Sequence, residues 1–169
     1  MKEQDDFWAG QFGNDYTKRN DSEKMIESNI DFFSKALVKA NVIRSVIEVG
    51  CNNGMNLLAL EYLDTSMSLS GVDINAQSLV ELEKNFAARD LIQPTTYKAS
   101  ASEFYTEERY DLVITKGLLI HVNPMDLPKT YDLIYNLSKK YILIAEYYNP
   151  IPVEIPYRGY TNRLWKRDF

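Results

Sequence analysis

Val46-Ile47-Glu48-Val49-Gly50-Cys51-Asn52-Asn53-Gly54 is an apolar run carrying one acid, followed by a glycine-bracketed turn and the start of a helix. Val46, Ile47 and Val49 are β-branched and suit a strand covered on both faces of a parallel sheet. Glu48 in such a strand is costly unless a cationic group meets it. Gly50 and Gly54 supply unusual dihedrals and let a ligand lie against bare main chain. A helix is predicted over 54–63 and a second strand over 67–73. That strand ends on Asp73, 23 residues beyond Gly50. An acid about 20 residues past the loop is where a βαβ unit grips ribose hydroxyls.

The loop lacks the G-x-G-x-x-G spacing that seats a pyrophosphate on a helix N-terminus, and Glu48 would repel phosphate. An adenosyl ligand with an ammonium group and no phosphate fits better. Further strands are predicted at 95–99, 110–115 and 141–147, with helices at 75–89 and 125–139. This alternation implies a doubly wound, mainly parallel α/β sheet with right-handed crossovers. Ile26, Ile30, Phe33, Leu37 and Ala40 recur at helical spacing and predict an N-terminal helix capped by Asp21.

The E-x-G-x-x-x-G pattern at Glu48, Gly50 and Gly54, together with Gly71-Val72-Asp73-Ile74-Asn75 and Arg109-Tyr110-Asp111-Leu112-Val113-Ile114, resembles the class I S-adenosylmethionine-dependent methyltransferases. The resemblance covers about residues 44–148 and implies a Rossmann-like sheet of order 3-2-1-4-5. It places S-adenosylmethionine on Glu48, Gly50, Cys51, Asn52, Gly54, Asp73 and Ile74. Ser100 and Ala101 fall where the family contacts adenine, with the Ser100 hydroxyl standing where Asp is common. Lys116, at the carboxyl end of a central strand, is counted with the same wall and is also within reach of an anionic substrate group. The family usually adds two strands in a closing antiparallel hairpin, and none is evident here. Either the chain is part of a longer one, leaving the strand at 141–147 exposed to foreign pairing, or an irregular segment over 149–169 covers the sheet edge.

A narrower set of residues, Phe7-Trp8-Ala9-Gly10-Gln11-Phe12-Gly13, Tyr16, Arg19-Asn20 and Leu119-Ile120-His121-Val122-Asn123-Pro124, resembles the methylases associated with pseudaminic acid biosynthesis. That likeness implies a nonulosonic acid, its nucleotide-linked form or a sugar precursor as the small-molecule substrate. Trp8, Tyr16, Arg19 and Tyr148 are candidate substrate contacts. Both aromatic groups, at 7–16 and 147–165, lie outside the periodic elements and suit lids over a ligand. His121 is the only histidine and falls in the loop after the fourth strand. It is the candidate general base, with a structural hydrogen-bonding role as the alternative.

At 169 residues with 45% hydrophobic composition, the chain matches a single domain able to bury a core. Residues 1–43 form a lid and helix, 44–148 the cofactor-binding core, and 149–169 an irregular end. A net charge of −5 argues against a broad nucleic-acid surface. One cysteine and one histidine leave no evident metal site, and Cys51 reads as a small buried side chain. No apolar run reaches membrane length and the polar opening has no secretory pattern, so a cytoplasmic enzyme is expected; its oligomeric state is left open. Two other readings stand beside it. One is a non-catalytic S-adenosylmethionine-binding accessory protein. The other is an NAD-dependent oxidoreductase, which the loop spacing disfavours.

Overall fold

The computed structural model describes residues 3–20 and 22–169. Five parallel strands form one sheet, β1 (Ser45–Val49), β2 (Ser68–Asp73), β3 (Thr95–Lys98), β4 (Tyr110–Lys116) and β5 (Ser138–Ala145). Their order is β3-β2-β1-β4-β5, as expected. β1 lies at the centre, with Val46 opposite Leu69 of β2 and Leu112 of β4. Alternation along β1 sends its side chains into two separate cores. Val46 packs with Phe33, Leu57, Leu58 and Phe86, whereas Ile47 and Val49 pack with Val113, Leu127 and Ile134. Glu48 shares the face of Val46 and so turns toward the helical layer.

Three helices precede β1: α1 (Glu3–Ala9), α2 (Gln11–Arg19) and α3 (Glu23–Ala36). The sequence pattern announces only α3. Its cap is Ser22, whose side chain accepts the Met25 N–H; Asp21, expected in that role, lies outside the described residues. α4 (Met55–Leu63) is apolar nearly all round because it is buried on most sides. α5 (Ala76–Ala87) is capped by Asn75, which accepts the Ser78 N–H. α6 (Leu127–Leu137) runs straight into β5, which therefore starts three residues earlier than expected.

Among the described residues no closing hairpin joins the sheet. An antiparallel pair, β6 (Val153–Glu154) and β7 (Trp165–Lys166), forms a sheet of its own within the segment expected to be irregular. Tyr157 and Tyr160 from the connection between them reach Phe7 and Phe12 on the first two helices. Among the described residues no helix is long and apolar enough to cross a membrane.

The β1–α4 turn fits against β2 only because residue 71 has no side chain. A Cβ on Gly71 would stand 2.7 Å from Cys51 Sγ and 3.2 Å from Leu57 Cδ1. Gly71→Ala should therefore destabilise the fold by about 1–3 kcal/mol. Adding Cys51→Ala should recover part of that loss. Denaturant melts of the two single variants and the double variant measure this coupling, and strict additivity would contradict it.

Candidate active site

The glycine turn is built onto the end of β2. The N–H groups of Gly50 and Cys51 both donate to the Val72 carbonyl, at 2.7 and 3.0 Å. The Asn52 N–H donates to Asp73 Oδ2, and the Asn75 N–H to Asp73 Oδ1, each at 2.8 Å. Asn52 sits at φ 48 and Gly50 and Gly54 at φ 81, so this turn needs the left-handed region three times. Burial raises the Asp73 carboxyl, while the amides of Asn75, Asn52 and Ile74 oppose the rise. With three amides on two oxygens, the carboxylate keeps acceptor capacity for a ligand.

These groups open onto a cavity of about 460 Å³ at the carboxyl ends of the strands. A chamber of that size suits a ligand the size of a nucleoside conjugate. Its lining includes Gly50, Cys51, Asn52, Asp73 and Ile74, with Ser100, Ala101 and Lys116, and also Trp8, Tyr16 and His121. Ser100 is nearly buried, and its hydroxyl pairs with that of Ser102 at 3.0 Å.

Glu48, Gly54, Arg19 and Tyr148 are not in the cavity wall. Gly54 backs onto Leu82 as the cap of α4. The Arg19 guanidinium lies 5.7 Å from the Phe12 ring centroid and 5.9 Å from that of Tyr16. Tyr148, three residues beyond the β5 terminus, is exposed. Glu48 is wholly buried behind Asn56, whose Nδ2 donates to Glu48 Oε1 at 2.5 Å, and Glu48 Oε2 and Asn56 Oδ1 have no partner. Burial pushes the Glu48 carboxyl up to about 8, against the Asn56 hydrogen bond and the Lys116 charge, with Asp73 adding to the rise. Among the described residues no cationic side chain pairs with it: the Lys116 charge acts only from a distance, and its ammonium faces the Phe32 ring at 5.9 Å.

The lid is tied down by side chains whose roles the sequence does not show. Asn75 Nδ2 donates to the Trp8 carbonyl at 3.0 Å and to Asn14 Oδ1 at 2.9 Å. Thr17 Oγ1 lies 2.8 Å from Asn52 Oδ1 and 2.5 Å from Ser78 Oγ, and Asn53 Nδ2 donates to the Asn20 carbonyl at 3.1 Å. The Arg163 guanidinium binds Gln4 and Glu3 and covers the Phe7 ring, so it is occupied within the protein. Tyr16 is pushed up to about 12, chiefly by burial and then by Tyr157, Tyr147 and Asp73, with Arg19 opposing, so it stays a neutral phenol.

His121 sits under Trp8, with ring centroids 4.5 Å apart. Its Nδ1 lies 2.8 Å from the Arg163 carbonyl. A carbonyl only accepts, so Nδ1 carries the proton and Nε2 the lone pair. Burial lowers the imidazole to about 4, against the Arg163 hydrogen bond, so the ring is neutral throughout the physiological range. Glu146, not singled out from the sequence, also reaches the cavity wall and accepts N–H groups from the turn that carries His121. Among the described residues no cluster of side chains could hold a metal ion. Asp111, at the other end of β4, accepts the Arg44 N–H and pairs with Lys140, away from the cavity.

A parallel sheet of this order with an acid-and-glycine loop at its switch point defines a nucleoside-binding α/β domain. Residues 46–140, more than half of the chain, match the family described as Methyltransferase domain, and the chain belongs to that family. Solved structures share the fold. Magnesium protoporphyrin IX methyltransferase from Synechocystis PCC 6803, with bound SAM, superposes with a TM-score of 0.70 at 13% identity, over 98% of this chain and 96% of that one. Coclaurine N-methyltransferase, bound to N-methylheliamine and SAH, gives 0.69 at 14% identity over 83% of this chain. This chain spans only 44% of the coclaurine enzyme. An S-adenosylmethionine-dependent methyltransferase from Clostridium acetobutylicum ATCC 824 gives 0.65 at 19% identity, over 87% of this chain and 64% of that one. No curated protein matches the chain.

Two tests follow. Asn75→Asp keeps the α5 cap but removes the Nδ2 donor, so hydrogen exchange should quicken over residues 3–19 while α5 stays protected; unchanged lid exchange would contradict the tether. Glu48 has a folded pKa raised from 4.5 to about 8. Its favourable contribution is therefore full below 4.5 and lost as pH rises through 8. Glu48→Gln should gain stability over the parent protein across that window, by on the order of 4 kcal/mol at its upper end. Denaturant titrations at several pH values measure this, and parallel profiles for the two proteins would contradict it.

Proposed function

We propose that this protein transfers the methyl group of S-adenosylmethionine to a small molecule held between the glycine turn and the lid. The observation that carries the reading is one cavity lined by Asp73, Ile74, Ser100 and the 50–52 turn together with Trp8, Tyr16 and His121. Asp73 would accept hydrogen bonds from the ribose hydroxyls, Ser100 and Ala101 would flank adenine, and the turn would lie along the methionine portion. Glu48, which burial keeps largely protonated near neutral pH, would act from behind Asn56 by holding its side-chain amide in place.

Methyl transfer needs the nucleophile, methyl carbon and sulfur in line, and fixing that geometry supplies most of the acceleration. Aromatic faces over the cavity suit a sulfonium, whose charge disappears in the reaction, and the lid excludes water. His121 Nε2 is the base for a proton released as the acceptor is methylated. A neutral imidazole of low basicity suits a proton that becomes strongly acidic only as the new bond forms.

For the acceptor we infer a nonulosonic acid of the pseudaminic type, its nucleotide-linked form or a sugar precursor. Support comes from the two segments whose sequences resemble the pseudaminic acid-associated methylases. They meet at the cavity, where the Trp8 and His121 rings lie in tilted contact and Gln4 Nε2 donates to the His121 carbonyl at 2.7 Å.

Calorimetry with S-adenosylhomocysteine should show binding in the micromolar range or tighter, and Asp73→Ala should weaken it at least tenfold, about 1.4 kcal/mol. NAD should not bind. Incubation with methyl-labelled S-adenosylmethionine and nonulosonic acid intermediates, followed by mass spectrometry, should show one added methyl. Cofactor binding without transfer to any of them would favour the accessory-protein reading, and tight NAD binding would overturn the cofactor assignment.

A further inference from the structure

β4 ends at Lys116, and Gly117 then turns the chain at φ 71, its N–H still paired with the Ala145 carbonyl of β5. The next three amides converge on one carboxylate. Leu118 and Leu119 N–H donate to Glu146 Oε1, both at 3.0 Å, and Ile120 N–H donates to Glu146 Oε2 at 3.3 Å. Successive N–H groups aimed at one point form an anion-binding nest at the start of a helical turn, and here the protein fills the nest with its own side chain. The residue after the third donor is His121.

This turn is held from every side. Leu118 presses on the glycine loop so closely that a Cβ on Gly50 would lie 2.8 Å from Leu118 Cδ1. Leu119 and Ile120 are buried, the His121 N–H returns to the Leu118 carbonyl at 2.8 Å, and the His121 ring is fixed by the Arg163 carbonyl. Of these restraints, Glu146 alone binds three consecutive amides of the turn. Its surroundings include the Tyr131 hydroxyl of α6, which is also close to Arg167. Burial raises the Glu146 carboxyl while the three amides lower it, so the hydrogen bonds favour the ionised acceptor form.

We propose that Glu146 is a positioning residue of the acceptor site, its carboxylate setting the 118–121 turn so that His121 presents Nε2 to the cavity in a single tautomer. The inference rests on the reading of His121 as the acceptor-side base. It adds that an acceptor's own carboxylate or phosphate does not occupy these three amides, because Glu146 already does.

The single histidine makes the test clean. Nitrogen-15 spectra of the His121 imidazole in the free protein should show Nδ1 protonated and Nε2 bare, with titration near 4. In Glu146→Ala the two tautomers should interconvert and the titration should move up toward the ordinary 6.5. Added formate, which fits the vacated nest, should restore the parent spectrum. Glu146→Gln keeps one acceptor oxygen and sets an amide N–H against a backbone N–H, so it should give mixed tautomers even if the alanine variant fails to fold. A folded alanine or glutamine variant with the parent spectrum overturns the proposal, as does an altered alanine spectrum that formate leaves unchanged. Binding of S-adenosylhomocysteine to the parent protein, measured separately by calorimetry, should be in the micromolar range or tighter. Its absence from the parent protein would instead count against the cofactor reading.

Discussion

Everything around the cavity depends on the glycine turn being fastened to the last two residues of β2. Val72 offers one carbonyl to two amides, and Asp73 offers its carboxylate to two more. These bonds compensate a backbone held in the left-handed region at Gly50, Asn52 and Gly54. They also orient the Asp73 carboxylate before any ligand arrives, which lowers the ordering that binding must supply. The Cys51 side chain, wedged against Gly71 and Leu57, fixes the same turn from beneath.

From that anchor the structure builds two walls by different means. The floor is made of sheet ends, rigid because β1 and β4 are buried on both faces. The roof is made of two short helices and a small hairpin, joined to the floor through Asn75, Thr17, Asn53 and Gln4. Polar bonds between side chains and loop carbonyls are weaker per contact than core packing, so the roof is the part suited to opening. His121 and Glu146 follow the β4 and β5 ends, and His121 meets the roof through Trp8 and Gln4.

The strand–helix alternation and the Gly50-to-Asp73 spacing are legible because their signals are local, whereas the sheet order was implied by the family resemblance. β-branched runs, glycine spacing and a carboxylate at a fixed separation all survive in one dimension. The first two helices are not, since Gly10, Gly13 and several Asn and Asp residues interrupt their period; Gly13 is there because a Cβ would collide with the Trp8 carbonyl. The position of Glu48 was only half legible. Its burial follows from the strand, but its turn toward Asn56 on α4 depends on which face of β1 meets which helix. Glu146 was not legible at all, because its partners are backbone amides, which carry no sequence signature.

A crystal structure of the protein soaked with S-adenosylhomocysteine tests the central claim most directly. The account predicts the ribose hydroxyls within hydrogen-bonding distance of the Asp73 carboxylate, adenine beside Ser100, and the sulfur facing the His121 side of the chamber. An empty chamber at saturating ligand, or a nucleoside bound away from Asp73, would contradict it.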